Sequence, residues 1–319
     1  MRSTCALLQP SLAALLLSLT FTVHADDNYV SAMRYISLDG QTSDADSKQY
    51  SATGSFTIGN YTWLQGSVGN LTDDSANGLG DLQNYAVGLG LKGRHLQFRL
   101  DLSHYKNDAD YKQNDVTASL DWFADKFSLG IDGFHRKTED KFSRTVTDTF
   151  PVLGTATVTA NVSEELTGNG FGAHGSVNFT DRFSLSVGGM GFNYDRSVAI
   201  DASVSTSQYP LIAQRLAQII AENIQQRLER RNLSILTRNV VPLDSSYNLG
   251  MSYLFDSAAL SAQYLRDKTL NSDTVTNTYS LGVSVFIGDH WIVAPLVGES
   301  IGGNAGNATF GGLSASYNW

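Results

Sequence analysis

The stretch Tyr279-Ser280-Leu281-Gly282-Val283-Ser284-Val285-Phe286-Ile287 alternates strictly in character. Its odd positions are Tyr, Leu, Val, Val and Ile, while its even positions are Ser, Gly, Ser and Phe. A period of two sends successive side chains to opposite faces of a strand, so one face is oily and the other mostly small and polar. The same split recurs in Tyr247, Leu249, Met251, Tyr253 and Phe255 against Asn248, Gly250 and Ser252. It recurs again in Leu96, Phe98, Leu100 and Leu102 against Gln97, Arg99, Asp101 and Ser103.

Outward from these segments the chain repeats one unit: an alternating strand, a very short turn, a second alternating strand and a long polar loop. The short turns fall at Gly59-Asn60, Gly93-Arg94, Ala124-Asp125-Lys126, Thr180-Asp181-Arg182, Asp256-Ser257 and Gly288-Asp289. Long loops are expected near 39–48, 70–82, 106–112, 138–168, 195–245, 268–275 and 299–308. Turns and loops in that order predict about fourteen antiparallel strands, with both ends of the sheet on the short-turn side. The range is about twelve to sixteen, because residues 142–161 alternate as well and suit an extra hairpin beyond the main sheet.

Composition narrows the class. Of 319 residues, 42% are hydrophobic and 17% charged, and no apolar run reaches the length of about eighteen residues that a membrane helix needs. Formal net charge is -9, and the 22 Lys and Arg form no dominant patch, so nucleic acid is not an expected partner. Arg2, the apolar run Leu12 to Val23, and Val23-His24-Ala25 read as a signal peptide over residues 1–25, with the barrel domain over 26–319. Cys5, the sole cysteine, lies within that leader, so no disulfide closes the exported fold.

Alternation alone also suits a soluble antiparallel sandwich. Aromatic placement favours a membrane: Trp63, Trp122, Trp291 and Trp319, with Phe127, Phe179, Phe183 and Phe255, cluster at the short-turn level. Tyr50, Tyr85, Tyr194, Tyr247, Tyr264 and Tyr279 fall toward the long-loop ends. Two aromatic girdles around an aliphatic band are what a bilayer's two interfaces select.

The leader end Val23-His24-Ala25, the alternating segments and the closing strand Leu313-Ser314-Ala315-Ser316-Tyr317-Asn318-Trp319 resemble those of Gram-negative outer-membrane β-barrel (porin-like) proteins. The resemblance implies an all-β fold, a closed antiparallel transmembrane barrel in the bacterial outer membrane. It also implies that Tyr317 and Trp319 form an insertion signal for the barrel-insertion machinery; Trp319 stands where the family usually carries Phe. Outer-membrane lipid and lipopolysaccharide are then its surroundings, and a homo-oligomer is compatible with it. Barrel closure is what hydrocarbon demands, since every backbone polar group there needs an internal partner.

Function rests on the lumen. Inward positions by parity include Ser51, Thr53, Ser55, Thr57, Gly88, Gly90, Thr117, Ser119, Asn248, Gly250, Ser252, Thr278, Ser280 and Ser284. Such side chains are too small to fill the space, so a wet or loop-occupied lumen is expected. Arg99, Asp101, Asp121 and Asp132 are the charged inward candidates, read as a solute-contact wall with mild cation preference or simply as hydrating charge. The expected activity is porin-like passage of small hydrophilic solutes or ions; the alternative is a surface barrel without an open pore, serving adhesion, assembly or lipid modification.

One segment breaks the β pattern. Over about residues 211–231, Ile212, Leu216, Ile220, Ile224 and Leu228 recur at helical spacing after Pro210, with Arg215, Arg227, Arg230 and Arg231 on the polar side. An amphipathic helix in the longest loop is expected, packing as a lid, lying on lipopolysaccharide or meeting a partner. A polar lumen wall is a poor counterpart for its apolar stripe, which argues against deep insertion. No enzyme, cofactor or metal site is expected: Gly88-Leu89-Gly90-Leu91-Lys92-Gly93 fits a dinucleotide pattern but ends at a hairpin, and His104 and His135 have no outward serine at their height.

Overall fold

A computed structural model describes residues 34–44, 47–73, 80–108, 111–150, 154–204, 240–270, 274–303 and 307–319. The expected leader and the helix over 211–231 lie outside these residues. The described chain forms fourteen strands: β1 (Tyr35–Ser43), β2 (Ser47–Ile58), β3 (Thr62–Asp73), β4 (Gly80–Lys92), β5 (Leu96–Lys106), β6 (Lys112–Phe123) and β7 (Phe127–Phe150). Then follow β8 (Gly154–Asn178), β9 (Phe183–Val204), β10 (Leu243–Leu254), β11 (Ala258–Thr269), β12 (Val275–Ile287), β13 (Trp291–Gly302) and β14 (Ala308–Asn318).

Every strand pairs antiparallel with its sequence neighbour, and β14 closes on β1 from Tyr35↔Asn318 to Ser43↔Phe310. The sheet therefore has no edge. At the long-loop end of this seam Asp44 accepts hydrogen bonds from the Thr309 amide at 2.8 Å and the Thr309 hydroxyl at 2.7 Å. All six expected short turns are where strands reverse, with Gly59 and Gly288 at positive φ of 66° and 62°. Only glycine enters that region without a Cβ penalty.

Burial is inverted relative to a water-soluble protein. Leu281 is 55% exposed and Ile287 54%, whereas Thr278, Ser252, Ser128 and Ser176 are buried. The large apolar side chains of the outward parity, such as Leu38, Phe56, Val87, Leu129, Val187 and Leu313, form a contiguous exposed band around the barrel. An apolar surface of that extent is stable against acyl chains and not against water. Trp122, Trp291 and Trp319 are exposed on the short-turn rim, with Tyr50, Tyr85, Tyr247 and Tyr279 on the other.

Several expectations are corrected. Residues 138–150 and 154–168 are strand and not loop: β7 and β8 stay in register from Phe127↔Val177 to Phe150↔Gly154, so the described part of the 142–161 hairpin continues two barrel strands and adds none. Residues 195–204 are likewise strand, because the lengthened β8 offers β9 a partner as far as Val158↔Val204. Trp63 leaves the girdle; it shares parity with Gln65 and Ser67, faces inward and is 3% exposed.

Trp63 fits because Gly90 stands directly opposite on β4, where a Cβ would occupy the indole's own position. Gly90→Val is expected to cost about 1–3 kcal/mol through overpacking. Urea unfolding in detergent checks this, and a Trp63→Ala second change should recover much of the loss.

Candidate functional site: the lumen wall and its mouth

The inward parity of each strand builds a wall of Ser, Thr, Gly, Asn and Gln, and it carries the four charged residues expected there. The structure sorts these four into two groups. On β5, Arg99 and Asp101 are two residues apart and hence on one face; Nε lies 2.6 Å from Oδ2, and Nη2 donates to Oδ1 at 3.0 Å. Gly88 opposite makes room, since a Cβ there would collide with the Asp101 carboxylate.

Asp121 on β6 and Asp132 on β7 share His174 of β8. Nε2 is 2.5 Å from Asp121 Oδ1 and Nδ1 is 2.7 Å from Asp132 Oδ2. A carboxylate on each ring nitrogen calls for two N–H donors, which is the imidazolium form. The register Gly130↔His174↔Gly188 explains the fit: glycines on both neighbouring strands leave the imidazole its space, and a Cβ at Gly130 would strike both His174 and Asp121. The parity of Phe171, Ala173 and Val177, of which Phe171 is 67% exposed, already places His174 inward; that signal sits in the sequence beside the four residues named from it.

The mouth holds a second constellation that the sequence reading missed. Val240 and Val241, just before β10, are 2% and 4% exposed. Val240 packs in one cluster with Leu71, Leu82, Tyr105 and Tyr111, which line the long-loop end of β3 to β6; Val241 and Leu243 pack with Phe192 of β9. The root of the longest loop is thus folded into the barrel, against an apolar collar that the expected polar wall did not include. Leu71 and Leu82 are inward exceptions to strand alternation, the pattern that concealed them.

A buried ion pair clasps this root. Arg136 donates to both carboxylate oxygens of Asp115, at 2.9 and 2.8 Å, and extends Nη1 to the Val241 carbonyl at 3.4 Å. Gln113 donates to Asp115 at 2.8 Å and receives the Tyr111 hydroxyl at 2.6 Å. The fork geometry satisfies a carboxylate in a site with little water. Beneath it the Arg136 guanidinium lies 5.0 Å from the Phe134 ring, and Phe134, Phe192 and Tyr194 form an inward aromatic shelf. Tyr194 therefore belongs to the lumen and not to the outer girdle.

On the outer surface His104 and His135 each contact an asparagine, Asn114 and Asn169, at 2.9 Å. At the closing strand Tyr317 and Trp319 are stacked at 6.3 Å, with Trp291 5.0 Å from Tyr317.

No protein-family model and no curated protein matches the sequence. Among solved structures, the CymD monoaromatic hydrocarbon channel is similar with a TM-score of 0.52 at 12% identity, covering 89% of this chain and 86% of that one. The KdgM porin in complex with disordered oligogalacturonate gives 0.43 at 9% identity, over 89% and 99% of the two chains. The trimer form of OmpT, an outer membrane protein of Vibrio cholerae, gives 0.41 at 13%, over 89% and 98%. The likeness to CymD is one of fold. With its closed sheet and apolar, girdled exterior, the chain has the architecture of a transmembrane β-barrel, a fold it shares with CymD.

Proposed function

We propose that this barrel is a porin-like channel for the passive passage of small hydrophilic solutes or ions, with a mild preference for cations. The observation that carries the reading is the inverted wall: small and polar side chains inside a closed sheet whose outer face is apolar. The inward carboxylates Asp39, Asp101, Asp121 and Asp132 outnumber Lys92, Arg99 and a charged His174 on the wall below the mouth. Fixed charge of one sign raises the local concentration of the opposite ion in a narrow pore. Tyr317 and Trp319 serve as the outward-facing insertion signal in this reading.

Reconstitution in planar bilayers tests it. A stable open level with a cation-side reversal potential is expected, and Asp101→Asn with Asp132→Asn should move that potential toward anions. Unchanged reversal potentials would reject the role given to these carboxylates.

The docked Val240–Val241 root favours a second reading, a surface barrel whose pore is shut. Electrical silence from protein that is folded, by its heat-modifiable mobility in gels, would select it.

A further inference from the structure

The outer face carries a hollow that transport does not use. At the long-loop end of β10 to β12, a cavity of about 360 Å³ is lined by Ser245, Tyr247, Arg266, Lys268 and Val275. Cross-strand register assembles it: Tyr247 stands opposite Arg266, and Lys268 lies between Ser245 and Val275. A register irregularity between Leu243 and Ser245 interrupts the regular pairing at this edge.

Arg266 and Lys268 continue the outward parity of Leu260, Ala262 and Tyr264, so both face the surroundings of the barrel and not its lumen. Tyr264 lies 5.2 Å from Tyr279 just below, and Leu281 and Leu249 follow on the same face. A strand rises about 3.3 Å per residue, so Arg266 is level with the girdle residue Tyr247 and Lys268 stands about 7 Å further along the strand. Aromatic girdles mark the edge of the hydrocarbon, so the hollow sits at headgroup depth. Lys268 Nζ is 3.2 Å from the Asp244 carboxylate, while Arg266 is exposed and has no carboxylate partner among the described residues.

We propose that this hollow holds a phosphate group of an outer-leaflet glycolipid, with Arg266 and Lys268 on its oxygens and its acyl chains lying down past Tyr264, Tyr279 and Leu281. Arginine's planar fork can meet two phosphate oxygens at once, and the strip beneath offers apolar contact to a lipid's acyl chains that a free anion would not use. The proposal rests on the outer-membrane setting and is independent of whether the pore conducts.

The test uses the full chain in detergent micelles and native mass spectrometry, with bis-phosphorylated lipid A and its dephosphorylated form as probes. The phosphorylated lipid should be retained and the dephosphorylated form released. Arg266→Ala with Lys268→Ala should weaken retention about tenfold or more, equivalent to about 1.4 kcal/mol. Lys106→Ala with Lys112→Ala, a pair opposed on the outward face of β5 and β6, should leave retention unchanged. Equal retention of the dephosphorylated lipid, or equal loss in the two double variants, would overturn the proposal. Displacement of the lipid by millimolar inorganic phosphate would overturn it too, by making the hollow a small-anion site. All variants are outward and rim-placed, and heat-modifiable mobility confirms that each has folded.

Discussion

Arg136→Ala is expected to raise single-channel conductance and to add large fluctuations to the open level. Arg136 is 5% exposed and the bidentate partner of Asp115, which is 4% exposed. Removing it leaves a buried carboxylate without its cation, a change that costs about 3–5 kcal/mol in comparable pairs. The strain falls on the mouth, because Arg136 also reaches the Val241 carbonyl and Asp115 holds Gln113. The loop root then loses its polar clasp while the barrel ladder, closed through fourteen strands, stays paired. Arg136→Lys should be intermediate: it keeps charge but not the fork. Replacing both partners by Leu should restore stability without restoring the hold on the carbonyl. Bilayer recordings alongside urea unfolding separate the two effects; wild-type conductance in a folded Arg136→Ala protein would show that the root does not narrow the passage.

His174→Ala is expected to shift reversal potentials strongly toward cations, further than any single Asp→Asn change shifts them toward anions. The substitution leaves Asp121 and Asp132 facing the lumen with nothing between them, turning a group of charge -1 into one of -2. Their carboxylates become fixed charges in a confined path, where screening is weaker than in bulk solvent. His174→Gln tests the geometry: its amide is neutral and carries both N–H donors on one nitrogen, so it cannot set a donor-bearing nitrogen on each carboxylate, and it should give the same direction with a smaller shift. A selectivity unchanged by either substitution would remove the trio from the permeation path.

Strand content was legible because lipid and lumen impose opposite demands on successive residues. Leu96 to Ser103 record those demands without exception, Tyr279 to Ile287 with the single exception of Phe286, and the six short turns follow from the residues between the strands. What escaped was whatever departs from alternation for a local reason. Trp63 is amphipathic and sits near a turn, so the girdle explained it well; only Gly90 across the register reveals why it points inward. Tyr194 escaped in the same way. Leu71 and Leu82 sit at strand ends, where the membrane no longer dictates polarity, and their purpose appears only when Val240 is seen against them. The four lumen charges were found by parity alone, but their pairing was not, because Arg99–Asp101 is a local contact and His174 reaches its carboxylates across three strands.

The most direct check on the whole account is a cysteine scan along β12 in lipid vesicles, read with a membrane-impermeant thiol reagent. Cys5 lies ahead of the barrel and is removed by changing it to Ser, so each new thiol reports alone. Labelling at Ser280→Cys, Gly282→Cys and Ser284→Cys, with protection at Leu281→Cys, Val283→Cys and Val285→Cys, is the result predicted for a water-filled lumen inside a lipid-facing shell. Protection at all six positions would mean a closed interior, and labelling at all six would mean a sheet that water reaches from both sides; either result contradicts the channel.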